Sequence, residues 1–176
     1  MTETAEFNSC AKLTETPEFK EGLDTYNELI KNGKDPFEYM LGMQKDLQHA
    51  LSTKNSHNPS PNELHTIGQK FDWLRENKQA FDDEYREIID ALPGMETPVK
   101  DRSAVWKRWK GKYDSIREKT FNDLSSDEMK ELKFELVDSF HFYMNMFFAL
   151  DMSAEEMFIY YFVKNAENHR RAKNGY

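Results

Sequence analysis

The sequence of 176 residues predicts an all-α protein, and three observations support this fold class. Glycine and proline are scarce, at seven and six copies, and they cluster between segments. Apolar residues recur at spacings of three and four, as they do on one face of a helix, whereas the alternation typical of strands is nearly absent. We therefore expect a bundle of about five to seven helices.

Local start and stop signals position these helices along the chain. Asp35 is a suitable N-cap and Pro36 a suitable first helical residue, while Pro93-Gly94 ends the helical spacing that resumes after a polar loop at 52–62. In chain order the expected helices are 18–31, 35–52, one or two within 62–92, 100–119, 127–150 and 154–172.

Two of these helices begin at a capping box, in which a serine caps the first turn and a glutamate three residues later reaches back to it. The two pairs are Ser125 with Glu128 and Ser153 with Glu156. Since both partners of each box are present, these two helix starts are the best marked in the chain.

The composition is that of one folded domain. Of the residues, 38% are hydrophobic and 14% aromatic, and no composition shift marks a second domain. We expect a single domain over 1–176, in which residues 1–17 could be flexible. No apolar run is long enough to span a membrane, no secretory signal is visible, and Cys10 has no second cysteine to pair with. These features predict a cytoplasmic protein.

The chain is acidic, with 32 acidic and 24 basic side chains and a net charge of −8. A protein that binds DNA or RNA directly needs a basic field, so we expect no direct nucleic-acid binding. The same balance argues at first against a phosphate ligand. That argument weakens if some of the acids bind a cation, because a bound cation would attract phosphate.

Acidic residues interrupt the apolar second half of the helix predicted over 127–150. Glu135 and Asp138 lie one turn apart in the segment FELVDSFHFYMNMFFAL, whose pattern is that of a buried helix. One arc of this helix contains Glu131, Glu135, Asp138, Phe142 and Asn145. Because a desolvated carboxylate must be paired or must coordinate a cation, the segment indicates either buried salt bridges or a metal site.

A second pair of acids, Glu84 and Glu87, flanks the apolar face of the segment FDDEYREIIDAL. Taken alone, two acids three residues apart are usually exposed on a helix surface. Two helices that each carry such a pair can bring four carboxylates together, which makes a hard oxygen site for Mg²⁺ or Mn²⁺. Without a cation the same carboxylates would repel one another.

Basic residues follow an aromatic stretch in the last predicted helix. Lys164, Asn168 and Arg171 share one face of that helix, and they either complement its C-terminal dipole or clamp a phosphate. The preceding aromatic residues, expected to be buried, are Phe158, Tyr161 and Phe162. A second basic element, WKRWKGKY (106–113), places Lys110 beside a tryptophan face, which by itself is typical of an amphipathic helix.

These segments, in this order, resemble the all-α NTP pyrophosphatases of the dimeric dUTPase type, and within them the dCTPase/dUTPase branch of T-even-type phages. The resemblance rests on E-x-x-E, W-K-x-W-K, E-L-V-D-x-x-H-F and K-N-x-x-N-x-x-R-x-x-x-G-Y, and it extends from about residue 35 to the end. The large insertion that cellular dimeric dUTPases carry before the last motif is missing here, which favours the phage branch.

The resemblance implies a role for each matching residue. The implied metal ligands are Glu84, Glu87, Glu135 and Asp138, and Glu87 is also the implied base that activates water. The implied phosphate-binding residues are Lys110, Lys164, Asn168, Arg171 and Tyr176. The implied nucleoside-facing residues are Gln44 and Asn145. Trp73 matches a family tryptophan ahead of the first acidic motif only at a longer spacing, so its role is open.

The implied activity is hydrolysis of dCTP, and of dUTP, to the monophosphate and pyrophosphate with Mg²⁺, for which Mn²⁺ can substitute. The implied assembly is a homodimer, in the host cytoplasm if a phage encodes the chain. This activity would keep cytosine and uracil nucleotides out of phage DNA and supply dCMP and dUMP. Two alternatives stay open: a broader house-cleaning pyrophosphatase of the same superfamily, and a non-enzymatic helical adaptor whose acidic face binds a partner protein.

Overall fold

The computed structural model describes residues 10–54, 59–92 and 118–174, and every regular element within them is helical, which confirms the predicted all-α class. The α-helices are α1 (Pro17–Lys31), α2 (Pro36–Lys54), α3 (Ile67–Asp90), α4 (Ser126–Ala149) and α5 (Ala154–Asn174). Short 3-10 helices cover Cys10–Glu15, Pro61–Glu63 and Phe121–Asp123. No helix in this part of the chain is long and apolar enough to cross a bilayer.

The predicted helices agree with the observed ones within a few residues at most ends. The stretch 62–92 holds one α-helix, α3, which begins only at Ile67 because a polar turn follows the 3-10 helix Pro61–Glu63. Of the helix predicted over 100–119, residues 100–117 lie outside the described part of the chain, and residues 118–119 are not helical.

The predicted caps are formed. Asp35 Oδ1 accepts the amide two residues further on at 2.8 Å. The Ser125 amide donates to Glu128 Oε2 at 2.6 Å, and the Glu128 amide donates to Ser125 Oγ at 3.2 Å. Ser153 and Glu156 exchange the same two bonds at 3.1 and 3.2 Å. Both capping boxes therefore satisfy amides that a helix start leaves unpaired.

The chain divides into two compact units, each built from two stretches of sequence. The first unit lies within Met1–Glu28 and Glu76–Tyr143, and the second lies within Leu29–Arg75 and Met144–Tyr176. Helices α3 and α4 each contribute one end to each unit. The expectation of a single domain over 1–176 stays a prediction.

In the first unit, aromatic contact brings α3 beside α4. The rings of Phe81 and Tyr143 lie with their centroids 6.3 Å apart. Ile89 on α3 is buried, and Ala11 in the N-terminal 3-10 helix is also buried. Because α3 and α4 pack together here, acids on their facing sides can approach one another.

In the second unit, the first half of α3 packs through a buried tryptophan. The core residues of this unit include Leu64, Trp73 and Ala149. Phe37 on α2 meets Phe147 on α4 edge to face, with ring centroids 6.3 Å apart. Helix α2 also contacts α5. These contacts position the buried face of α2 against the last turns of α4.

The aromatic stretch of α5 is exposed, so the expectation that it is buried is wrong for the single chain. Phe158, Tyr161 and Phe162 keep 69, 62 and 65% of their surface accessible. The sequence left open whether other helices of the same chain or a second copy would cover this face. Aromatic side chains gain most from burial, so a contiguous exposed set of them is typical of an interaction surface.

Candidate active site

Three carboxylates from two helices converge in the first unit. Glu84 on α3 and Glu135 and Asp138 on α4 each offer an oxygen, and these oxygens all lie within 4.8 Å of one another. All three side chains are partly buried. A set of carboxylate oxygens at this separation is the donor type that Mg²⁺ and Mn²⁺ prefer, so the residues present fit a hard divalent cation.

The electrostatics of this carboxylate cluster show the repulsion that a cation would relieve. The pKa of the Glu135 carboxyl is raised from 4.5 to about 7, first by burial and then by the charges of the surrounding acids, which are Glu87, Asp138, Glu84 and Glu131. Burial also raises the pKa of Glu84, followed by the charges of Glu87 and Asp138. Both directions are those of acids forced together in a partly desolvated place.

Glu87 lies one turn after Glu84 on α3 and is exposed. Among the described residues it is not in the set whose oxygens lie within 4.8 Å of one another, but its charge acts on both Glu84 and Glu135. A solvent-accessible carboxylate beside the cluster can accept a proton from a water molecule there. The position therefore suits the base role that the motif implies.

The two residues implied in nucleoside binding contact each other in the second unit. Gln44 and Asn145 are 3% and 1% exposed, and Gln44 Nε2 donates to Asn145 Oδ1 at 2.8 Å. The Trp73 indole Nε1 donates to the main-chain carbonyl of Asn145 at 2.7 Å. Trp73, whose role the motif left open, thus fixes the backbone at Asn145.

A further buried amide, Gln48, was not found by sequence reasoning. It lies one turn after Gln44 on α2 and is only 7% exposed. The available signal was the spacing of four between two glutamines on one helix face. Buried amides need hydrogen-bond partners, so this face of α2 is specified by polar contacts as well as by apolar packing.

The residues implied in phosphate binding are only partly described. Lys164, Asn168 and Arg171 are exposed on α5, whereas Lys110 and Tyr176 lie outside the described residues. Arg171 Nε donates to Glu167 Oε1 at 2.8 Å, and Arg170 binds both oxygens of the same carboxylate at 2.8 Å. These hydrogen bonds lower the pKa of Glu167. Arg170 and Arg171 are therefore held in a local ion-pair group with Glu167.

Glu131 binds the N-terminal segment, a contact that the sequence did not reveal. The amides of Cys10 and Ala11 donate to Glu131 Oε2 and Oε1 at 3.1 and 2.8 Å. The sequence placed Glu131 on the acidic arc of α4 without assigning it a role. The partners are separated by 120 and 121 positions, so no local pattern could have paired them.

The fold and the carboxylate cluster together define an all-helical protein in which acids from two helices converge on a position that fits a hard divalent cation. The chain is 42% identical over 172 residues to the dCTP pyrophosphatase of Enterobacteria phage T4, with 98% of this chain and 99% of the relative covered. It is 45% identical over 177 residues to the dCTP pyrophosphatase of Enterobacteria phage LZ5, with the same coverage. The chain therefore belongs to the T4-type phage dCTP pyrophosphatase family, and it is an enzyme of the nucleotide pyrophosphohydrolase class.

A third relative is longer than this chain. The DNA replication protein of Enterobacteria phage T4 is 42% identical over 161 residues, which are 92% of this chain and 41% of that protein. No protein-family profile matches the chain. No solved structure matches it either.

Proposed function

We propose that the protein is a Mg²⁺-dependent pyrophosphohydrolase that converts dCTP, and also dUTP, to the monophosphate and pyrophosphate. The observation that carries the proposal is the carboxylate cluster of Glu84, Glu135 and Asp138, in a chain at least 42% identical over nearly its full length to dCTP pyrophosphatases. Acting in the host cytoplasm, the enzyme would keep cytosine and uracil nucleotides out of phage DNA and supply dCMP and dUMP.

The cation would be held by the carboxylate cluster, with Glu87 as a fourth ligand, and Mn²⁺ could replace Mg²⁺. When bound, it would neutralise phosphate charge and lower the pKa of the attacking water. The raised pKa of Glu135 supports this assignment, because a carboxyl whose ionisation is opposed by its neighbours gains most from a nearby positive charge.

The reaction needs a base and a group of cations from this chain. The Glu87 carboxylate would accept a proton from water as the water oxygen forms a bond to the α-phosphorus. The bond from that phosphorus to the bridging oxygen breaks, and pyrophosphate leaves with that oxygen. Lys164 and Arg171 on α5, together with Lys110 and Tyr176, would bind the leaving phosphates, whose developing charge they stabilise.

Arg171 supports a phosphate role through its present partner. Its guanidinium is exposed and paired with the carboxylate of Glu167, whose negatively charged oxygens accept hydrogen bonds as phosphate oxygens do. A nucleotide phosphate would compete for the same donors, since guanidinium binds both anions through paired N–H groups. Asn168, also exposed on α5, would contribute its amide to the sugar or phosphates.

Gln44 and Asn145 would face the nucleoside. Their mutual hydrogen bond and burial fix both side-chain amides, and the hydrogen bond from the Trp73 indole fixes the main chain at Asn145. Rigid amide groups discriminate between bases because an unmatched donor or acceptor costs about 1–3 kcal/mol.

The proposed assembly is a homodimer, supported by the exposed apolar face of α5. Phe158 and Phe162 stack with ring centroids 6.4 Å apart, and both are more than half exposed. Covering such a face requires a second surface that is equally apolar, and a two-fold axis through α5 would supply it. The same rings could then pack between the two chains.

The test is an assay of the purified protein with each deoxynucleoside triphosphate and Mg²⁺, in which the products are separated by chromatography. We expect dCMP and dUMP with pyrophosphate, and much slower cleavage of purine nucleotides. Comparable rates on all substrates would instead indicate a broader house-cleaning enzyme. Release of orthophosphate would contradict attack at the α-phosphorus.

The variant Glu87→Gln tests the base directly. We expect turnover to be lost while helix content and melting temperature stay close to those of the unmodified chain. Glu76→Gln is the matched control, because Glu76 is exposed on the same helix. A Glu87→Gln enzyme with normal kcat would exclude Glu87 as the base.

A further inference from the structure

The carboxylate of Glu131 on α4 binds the start of the N-terminal 3-10 helix, Cys10–Glu15. Each oxygen of Glu131 accepts one main-chain amide, from Cys10 at 3.1 Å and from Ala11 at 2.8 Å. Ala11 is 3% exposed, so the segment is packed as well as hydrogen-bonded. Hydrogen bonds from neutral amides to a charged acceptor are stronger than neutral ones, and here two of them share one side chain.

This attachment lies beside the carboxylate cluster. Glu131 is one turn before Glu135 on α4, and its charge contributes to the raised pKa of Glu135. The Cys10 thiol has its pKa raised by burial and then by the charges of four acids, which are Glu131, Asp138, Glu135 and Glu87. Since the Cys10 amide bonds to Glu131, which lies one turn before Glu135 on α4, the start of the 3-10 helix adjoins the cluster.

We propose that Glu131 is a positioning residue, which docks the 3-10 helix Cys10–Glu15 beside the carboxylate cluster so that this segment forms one side of the metal site. The inference rests on the proposed metal role of Glu84, Glu135 and Asp138. Glu131 acts through the segment, because each of its oxygens accepts a main-chain amide and it lies outside the described set of three acids whose oxygens converge.

Docking matters for cation binding because it limits the access of water to the acids. Carboxylates attract a cation more strongly where fewer water molecules screen them. Release of the segment would expose the cluster and would also free Glu131 to change its conformation. We therefore expect weaker cation binding when the segment is released, even if every carboxylate of the cluster is kept.

Two kinds of variant release the segment by different routes. Glu131→Gln keeps the side-chain size but leaves only one oxygen acceptor, so its NH₂ group faces the second main-chain amide, which is also a donor. Glu131→Ala removes both acceptors. Ala11→Trp keeps every acid and instead prevents a buried position from packing. The control is Asp127→Asn, which removes one exposed acid of α4 that pairs with Lys130.

Docking is measured by the labelling rate of Cys10 with a maleimide, since this is the only cysteine of the chain. Metal binding is measured separately by calorimetric titration of the full-length protein with Mn²⁺ alone. We expect the Glu131 and Ala11 variants to label about tenfold faster or more, because the Glu131 variants lose charge-assisted bonds and Ala11→Trp loses the packing of the segment. We also expect each to bind Mn²⁺ several-fold more weakly, whereas Asp127→Asn changes neither quantity.

Three outcomes would overturn the proposal. An unchanged labelling rate in both Glu131 variants would mean that Glu131 does not hold the segment. Faster labelling with unchanged Mn²⁺ affinity in Ala11→Trp would mean that the segment is docked but is no part of the metal site. Absence of Mn²⁺ binding by the unmodified chain would overturn the proposed metal role itself, which is a distinguishable failure.

Discussion

Replacing Glu135 by glutamine should remove a pH-dependent destabilisation from the metal-free protein. The pKa of this carboxyl is raised from 4.5 to about 7 in the folded chain, by burial first and then by the neighbouring acids. The folded state therefore holds this proton more tightly than the unfolded state does. Protonated Glu135 therefore stabilises the folded state, and this stabilisation is fully present below pH 4.5 and is lost as the pH rises through about 7.

The magnitude follows from the size of that shift. The rise from 4.5 to about 7 corresponds to about 3.4 kcal/mol as an upper value. Because the side chain is only partly buried, solvent screening reduces the expected effect to about 1–2 kcal/mol. At pH 8 and without metal, Glu135→Gln should therefore be more stable than the unmodified chain by that amount, and the difference should shrink toward zero at pH 5.

The assay is urea unfolding in the presence of a chelator at several pH values, followed by circular dichroism. The quantity of interest is the difference in unfolding free energy between Glu135→Gln and the unmodified chain, because other titrating groups cancel in it. Asp127→Asn on the same helix is the charge control. A difference that is independent of pH, or that grows toward low pH, would refute the reasoning. With saturating Mg²⁺ the order should reverse, because only the intact cluster gains binding energy.

Three further outcomes are expected. Trp73→Phe should lower the unfolding free energy by about 1–2 kcal/mol, because it removes a buried hydrogen bond to the Asn145 carbonyl; a neutral result in urea unfolding would contradict that role. Lys70→Ala should cost at most about 0.5 kcal/mol in the same measurement, since its 2.5 Å ion pair with Asp151 is solvent-accessible. Phe162→Glu should halve the mass seen by light scattering, and a monomeric unmodified chain would exclude the proposed dimer.

The positions of the helices could be predicted from the sequence because they depend on neighbouring residues. Asp35 with Pro36, and the serine–glutamate pairs beginning at Ser125 and Ser153, set helix starts through contacts that span three residues or fewer. Such signals need no knowledge of distant segments. The extent of α3 was harder to predict, since its start at Ile67 is decided by the turn before it.

Helix periodicity predicted the candidate site as two separate pairs of acids, and the family resemblance implied that the pairs meet. The spacing of three between Glu84 and Glu87, and between Glu135 and Asp138, indicated acids on one side of each helix. The packing of α3 on α4 decides which acids meet. It brings Glu84 to Glu135 and Asp138 and leaves Glu87 outside this closest set. Helix periodicity carries no information about which residues of a second helix lie opposite.

The exposure of the α5 aromatics shows a different limit. Their apolar character indicated a surface that favours burial, but it did not indicate which surface would cover it. Phe158 and Phe162 are exposed in the single chain. An apolar helix face predicts that free energy is gained when the face is removed from water. Which surface covers it depends on tertiary or quaternary packing.

By itself, the sequence determined the all-α class, the helix caps and the acid pairs, because each of these is written in residues that are close along the chain. Only the tertiary structure decided that Trp73 bonds to Asn145 and that Glu131 holds the N-terminal segment. These contacts join residues 72 to 121 positions apart. They form because packing brings distant helices together, and their energies depend on the burial that this packing creates.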